Sequence, residues 1–261
     1  MGALTGRVAV VTGASRGIGE AIASRFAAEG AAVGVSARTV AEGDHQLPGS
    51  IEGTVRSITE SGGTAIAVAA DLAREEDRRS LVTTVEERLG PIDVLVNNAA
   101  VTFFEPVEDF DERHYRLMFE VQVRAPFELA QVVMPGMRTR RRGWVLNISS
   151  GAARHPQGPP YRQGLRGGTV YGMCKAALER FTTGLAAEAY DDGIAVNVLS
   201  PSGLVATPGV VHHGLDRIVP PEAVEPVECM TDAALALCTG DPATLTGRVA
   251  YAKPLLAELG G

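Results

Sequence analysis

The sequence predicts a doubly wound α/β fold, one domain whose parallel sheet carries helices on both faces. Three observations lead there. Short β-branched apolar runs alternate with longer stretches of helical period along the 261 residues. Within those runs the apolar residues are continuous rather than alternating, as in strands buried on both faces. A glycine-rich turn joins the first run to the first helical stretch. Strands are expected at 7–12, 32–36, 64–69, 92–96, 144–148, 195–199 and 248–251. Helices are expected at 18–29, 51–61, 75–89, 111–140, 170–191 and 222–238. No internal repeat or flexible linker interrupts the pattern, so residues 1–261 read as a single domain.

Composition narrows the function classes. The 24 basic and 31 acidic residues leave a net charge of −7, which argues against a nucleic-acid partner. No apolar run reaches the ~18 residues of a membrane span, and residues 1–11 lack the pattern of a secretory leader. A cytoplasmic protein without a membrane partner is the expectation. Cys174, Cys229 and Cys238 form no CxxC pair, and the five histidines lack metal-ligand spacing. His212 and His213 are adjacent and would point apart, so no metal is expected. The arginine-rich stretch 138–142 closes the long helix, where cations complement the helix dipole, and reads as a solvated face.

The nucleotide site is read from Thr12-Gly13-Ala14-Ser15-Arg16-Gly17-Ile18-Gly19, between the first strand and the first helix. Glycines there let the backbone turn tightly and approach a pyrophosphate, which a helix N-terminus then holds. This strand–turn–helix context is that of a Rossmann-type dinucleotide fold. After the second strand such folds carry a carboxylate for a ribose 2′-hydroxyl or an arginine for a 2′-phosphate. Here the residue is Arg38, with Arg16 close by in the glycine turn, so NADP(H) is expected over NAD(H). Asp71, followed by Leu72 after the third strand, is positioned for the adenine amino group.

Tyr171 and Lys175 are four apart at the start of a helix, which places them on one face. An ammonium beside a phenol stabilises the phenolate and brings its pKa toward the working pH. Together with the glycine turn, these residues make the sequence resemble the short-chain dehydrogenase/reductase (SDR) family, in its classical form, over essentially the whole chain. The matching pieces stand in the family's order. They are Thr12 to Gly19, Asp71, Asn97-Asn98-Ala99, Ser149-Ser150, Tyr171 with Lys175, and Asn197 with Pro201.

The resemblance implies an oxidoreductase moving a hydride between a nicotinamide and the carbon of an alcohol, ketone or aldehyde. It implies that Tyr171 is the general acid/base, that Ser150 bonds the substrate oxygen, and that Lys175 binds the nicotinamide ribose. Gly13, Ser15, Arg16, Gly17, Ile18 and Gly19 then hold phosphates, and Arg38, Asp71, Leu72, Asn98 and Ala99 the adenosine side. Pro201, Gly203, Val205 and Thr207 meet the carboxamide end and the cofactor phosphates. A small-molecule substrate and a homotetramer or homodimer follow from the same resemblance.

Four departures stand out. Val121-Gln122-Val123 puts Gln122 where the family places a catalytic asparagine, with the same amide on a longer arm. Ala100 replaces the glycine that usually ends Asn-Asn-Ala-Gly, and Ser202 lengthens the segment after Pro201. Ser150 and Tyr171 lie 21 positions apart, against roughly a dozen in the family pattern. The extra residues form a loop, 151–168, expected to shape the substrate pocket through Arg154, His155, Arg162 or Arg166. A second stretch, 209–220, is expected to help cover the substrate. Two rival readings share the fold: an NADP(H)-binding sensor or scaffold whose relay has lapsed at Gln122, and an epimerase or dehydratase of the same family.

Overall fold

The computed structural model describes residues 1–161, 166–212, 214, 217 and 219–260. Arg162 and His213, and part of the 209–220 stretch, lie outside them. The expected strands form as β1 (Val8–Thr12), β2 (Ala32–Ala37), β3 (Thr64–Ala69), β4 (Val94–Asn97), β5 (Gly143–Ile148), β6 (Ile194–Ser200) and β7 (Val249–Tyr251). They make one all-parallel sheet in the order β3-β2-β1-β4-β5-β6-β7. Every residue of β1, β4, β5 and β6 is buried, which is why their apolar runs are unbroken rather than alternating.

Helices α1 (Gly17–Ala28) and α2 (Ile51–Glu60) cover one face of the sheet. Helix α3 (Glu75–Leu89) covers the other. The change of face occurs between β1 and β4. They are neighbours in the sheet, but the chain leaves them on opposite sides, which opens a crevice at their carboxyl ends.

The stretch expected as one helix over 111–140 is three pieces. Helix α4 (Glu112–Phe119) runs into a π-helical turn, Glu120–Arg124, followed by α5 (Ala125–Arg140). The Ala125 amide bonds the carbonyl of Glu120, five residues back. The reason lies in the sequence: Pro126 has no N–H for the Gln122 carbonyl, so the ordinary ladder fails there. Helix α6 (Thr169–Ala189) carries Tyr171 and Lys175, and α7 (Pro208–His212) is a single short turn. Helix α8 (Val227–Thr239) begins after Pro226 rather than at 222, because residues 221–223 form a separate 3₁₀ turn. Helix α9 (Ala252–Leu259), unforeseen in the sequence reading, buries Ala252 and Leu255 against α8.

The arginines at 138–142 are not merely solvated. Arg142 donates to buried Asp93 (2.8 Å), whose other oxygen accepts the Val8 amide (3.1 Å). Arg140 and Arg138 donate to the Ile92 carbonyl (2.6 Å) and to Asp192 (2.7 Å). These bonds tie the amino ends of β1, β4 and β5 together.

Gly34 marks how tightly α3 packs on the sheet. A Cβ there would stand 2.6 Å from Val85 Cγ2, and both residues are buried. Gly34→Ala should therefore destabilise the fold by about 1–3 kcal/mol through overpacking. Val85→Ala in the same chain should relieve part of that loss. Urea unfolding midpoints check both. Equal midpoints for Gly34→Ala and the parent chain would show that α3 is free to shift.

Candidate active site

At the crevice, Thr12 ends β1 and organises the turn that follows. Its hydroxyl donates to the Val96 carbonyl (3.2 Å) and accepts from the amides of Asn98 (3.1 Å) and Ala99 (3.2 Å). The Asn98 side-chain nitrogen donates to the carbonyls of Thr12 (3.0 Å) and Gly13 (3.1 Å). Asn98 thus braces the glycine turn with its amide nitrogen. Gly13 has φ +65°, and a Cβ there would lie 2.7 Å from Ala99 Cα. Gly17 has φ +62°, and a Cβ there would meet Thr207 at 3.0 Å. Both positions require glycine, and the cradle leads directly into the N-terminus of α1, where amides lack intrahelical partners. Cradle and helix end fit the diphosphate of a dinucleotide.

Arg16 does something other than the sequence reading expects. Its guanidinium donates to the carbonyls of Pro48 (2.8 Å), Leu47 (3.2 Å) and Gly49 (2.8 Å) and to the Thr39 hydroxyl (3.3 Å). It clamps the 39–50 loop onto the glycine turn, so the guanidinium is not held ready for a phosphate. Arg38, at the end of β2, is exposed and close enough to lower the Arg16 pKa, behind the larger effect of burial. Asp71 fixes its own turn: Oδ1 accepts the Ala73 amide (3.1 Å), and its amide donates to Asp77 (2.8 Å).

Ser150, Tyr171 and Lys175 come together at the ends of β5 and the start of α6. The Ser150 hydroxyl accepts from the Ala152 amide (3.2 Å) and hydrogen-bonds the Tyr171 phenol. Lys175 is 3% exposed, donates to the Ile148 carbonyl (2.9 Å), and stands 5.6 Å from the Tyr171 ring centroid. The lowering of the Tyr171 pKa by Lys175 expected from sequence is not the direction found. Burial raises the phenol above its ordinary value, and the Ser150 hydrogen bond opposes it. Burial also lowers the Lys175 ammonium to about 8. Phe104 meets Tyr171 edge-on at 6.1 Å, and Phe103 stacks on His114 at 3.6 Å, so one wall beside the phenol is aromatic.

Gln122 is 1% exposed. Its Nε2 donates to the Val101 carbonyl (2.8 Å), and its Oε1 is buried without a protein partner. Beyond β6, Pro201, Gly203 and Val205 lie in a loop held by a residue the sequence reading missed. Glu225, 1% exposed, accepts the amides of Ser202 (2.6 Å) and Gly203 (2.7 Å) through one oxygen. Nothing in the residues around position 225 signals this. Thr207 caps α7, accepting the Val210 amide (3.3 Å).

The 151–168 loop departs from expectation at Arg154. That guanidinium stacks on the Tyr251 ring at 3.9 Å and donates to its hydroxyl (2.8 Å). Residues Ala153, Arg154, His155 and Gln157 border a groove of about 600 Å³ against Glu179, Arg180 and Thr183 of α6. This part of the loop lies along α6 toward β7. Its return end lies closer to the aromatic wall: a Cβ on Gly167 would stand 2.6 Å from the backbone of Phe104 and Glu105.

Comparison with known proteins agrees with this architecture. The sequence profile of the short chain dehydrogenase family matches residues 7–214. A short chain dehydrogenase of Pseudocercospora fijiensis is 35% identical over 205 residues, 78% of this chain and 61% of that one. The match thus spans about three-fifths of that relative. The crystal structure of a short chain dehydrogenase from Mycobacterium thermoresistibile superposes with a TM-score of 0.85 at 31% identity, over 99% of this chain and 89% of that one. A metagenomic short-chain oxidoreductase solved in complex with NADP gives a TM-score of 0.77 at 29% identity, over 95% and 98% of the two chains. The glycine cradle, the Ser150–Tyr171–Lys175 group and these matches carry one conclusion: the chain belongs to the short chain dehydrogenase family and is an oxidoreductase acting on alcohol or carbonyl groups.

Proposed function

We propose that the protein is an NADP(H)-dependent reductase of small ketones or aldehydes, with Tyr171 as the general acid. The observation that carries this reading is the buried Ser150–Tyr171–Lys175 group beside the glycine cradle. A nicotinamide dinucleotide bound there supplies the hydride-transfer chemistry. Gly13, Ser15, Gly17, Ile18 and Gly19 bind its diphosphate, and Asp71, Leu72, Asn98 and Ala99 border the adenosine. Pro201, Gly203, Val205 and Thr207 border the carboxamide end, and Lys175 donates to the nicotinamide ribose. Ser150 holds the substrate oxygen, and Tyr171 gives that oxygen its proton. In this reading the Gln122 amide serves the same centre, its buried and unpartnered Oε1 accepting from a relay water. A sensor or scaffold has no need of a buried tyrosine–lysine pair, which favours the enzymatic reading.

The pKa directions favour reduction. Burial keeps Tyr171 protonated across the neutral range, and a protonated phenol is the form that donates. The Lys175 ammonium, lowered to about 8 by burial, is charged below that pH and neutral above it. The kcat/KM for carbonyl reduction should therefore hold below pH 8 and fall as pH rises through it, while alcohol oxidation should improve on the alkaline side. Tyr171→Phe should cut turnover by about 10²–10⁴-fold with NADPH affinity nearly retained. A rate profile for reduction that climbs with pH, or unchanged turnover in Tyr171→Phe, would remove Tyr171 from this role.

Cofactor preference rests on Arg38, because the Arg16 guanidinium is committed to the 39–50 loop. A charge-assisted bond from Arg38 to a 2′-phosphate is worth about 1.5–3 kcal/mol, or roughly 10- to 150-fold in affinity. Arg38→Asp should lower the NADPH-to-NADH affinity ratio by about that factor, read from cofactor fluorescence titrations. Arg16→Ala should weaken both cofactors together through the loop. A ratio that follows Arg16 instead of Arg38 would overturn the assignment.

The expected homo-oligomer belongs to the same reading. Phe127 on α5 is 49% exposed and meets Phe181 of α6 at 5.9 Å, which gives the outer faces of these helices an apolar patch. Phe127→Glu should shift the sedimentation profile to a smaller species if a second copy covers this patch. A parent chain that sediments as a monomer would end the idea.

A further inference from the structure

Among the described residues, Arg78 is the largest side chain almost wholly withdrawn from solvent. It lies on α3 in register with Leu81, Val82 and Val85, the face the helix turns to the sheet. A charge in that phase is costly unless it is paired and hydrogen-bonded. Here two carboxylates and a carbonyl meet it. Nε donates to Glu128 Oε2 (2.6 Å), and Nη1 donates to Glu120 Oε1 (3.0 Å) and to the Leu72 carbonyl (2.6 Å). Arg124 completes the cluster from the exposed side, pairing with Glu128 (2.7 Å) and Glu120 (3.5 Å), and feels Glu75 more weakly.

The positions of these partners matter more than their number. Glu120 is the first residue of the π turn, Glu128 lies on α5 just beyond it, and Gln122 lies between the two. A π turn has poorer hydrogen-bond geometry than the α-helix around it, and Pro126 withholds one of its donors. Left alone, the segment would relax and carry the Gln122 amide with it. We propose that Arg78 is a positioning residue for Gln122: its rigid fork spans the π turn from Glu120 to Glu128 and fixes the turn's length. The third bond, to Leu72, anchors the fork to the turn that carries Asp71, so the span is referenced to the nucleotide site. A lysine offers only a point charge and cannot hold both carboxylates and the carbonyl in one plane. This inference rests on the reading of Gln122 as a group at the catalytic centre.

The test uses the full chain, four single variants (Glu120→Ala, Arg78→Lys, Gln122→Ala and, as a surface control, Arg79→Ala, whose exposed side chain pairs with Glu75) and the Glu120→Ala/Gln122→Ala double variant. The Glu120 side chain is 27% exposed, so its removal leaves the core intact even if Arg78 variants fold poorly. Hydrogen exchange of the amides at 120–126, measured without cofactor, should speed up by about tenfold in Glu120→Ala and Arg78→Lys. Amides of α6 should be unaffected, and Arg79→Ala should leave 120–126 as in the parent. The pH profile of kcat should move in Glu120→Ala in the same direction as in Gln122→Ala, and the double variant should add nothing further. A lowered Tm with unchanged exchange at 120–126 and an unchanged pH profile would make Arg78 a stability residue only and overturn the proposal. If Gln122→Ala itself leaves the profile unchanged, the reading of Gln122 fails and this inference fails with it. If Gln122→Ala moves it and Glu120→Ala does not, only the inference is lost.

Discussion

The hydroxyl of Thr12 is the point on which the rest of the site depends. It is buried at the end of β1 and ties that strand to β4 and to the turn after β4 through three hydrogen bonds. The connections that leave adjacent parallel strands toward opposite faces diverge, and the crevice between them is where a dinucleotide lies against backbone in such folds. Thr12 and Asn98 keep that crevice at a fixed width. The positive φ of Gly13 and Gly17 then brings the turn close enough that side chains at either position would collide with Ala99 or Thr207.

A second constraint is burial of charge along the same edge. Lys175, Arg78 and Glu225 are each almost wholly withdrawn from solvent. Each fixes a stretch of backbone. Lys175 bonds the last carbonyl of β5, Arg78 brackets the π turn, and Glu225 gathers the loop after β6. Removing one partner from such a group leaves a buried charge unpaired, so these residues tolerate substitution less well than surface ion pairs. The same burial sets the chemistry. It keeps the phenol of Tyr171 protonated and makes the lysine beside it easier to deprotonate.

The departures from the family pattern are accommodated locally. The longer arm of Gln122 is housed where the helix widens into a π turn, and its amide reaches the Val101 carbonyl. The longer segment after Pro201 is drawn in by Glu225. The first part of the 151–168 loop is laid along α6, with Arg154 fastened to Tyr251, and the loop returns past Phe104. The inserted residues therefore border the aromatic wall at one end and a groove outside the Ser150–Tyr171–Lys175 group at the other.

The order of strands and helices was legible because a sheet buried on both faces forces unbroken apolar runs, and amphipathic helices must show a 3.6-residue period. The glycine turn and the Tyr171–Lys175 pair were legible because the chemistry requires them at short spacing. Arg78 was legible in principle, as a charge in the apolar phase of α3. What the sequence did not contain was the choice of partner. Arg16 and Arg38 are alike as residues, yet the first is clamped onto loop carbonyls and the second is exposed. Arg154 lies on a tyrosine 97 positions away. Whether a guanidinium meets a phosphate, a carbonyl or an aromatic ring depends on which groups the folded chain brings within about 3 Å. Local spacing determines the elements and the tyrosine–lysine pair; long-range packing decides which polar atoms remain available.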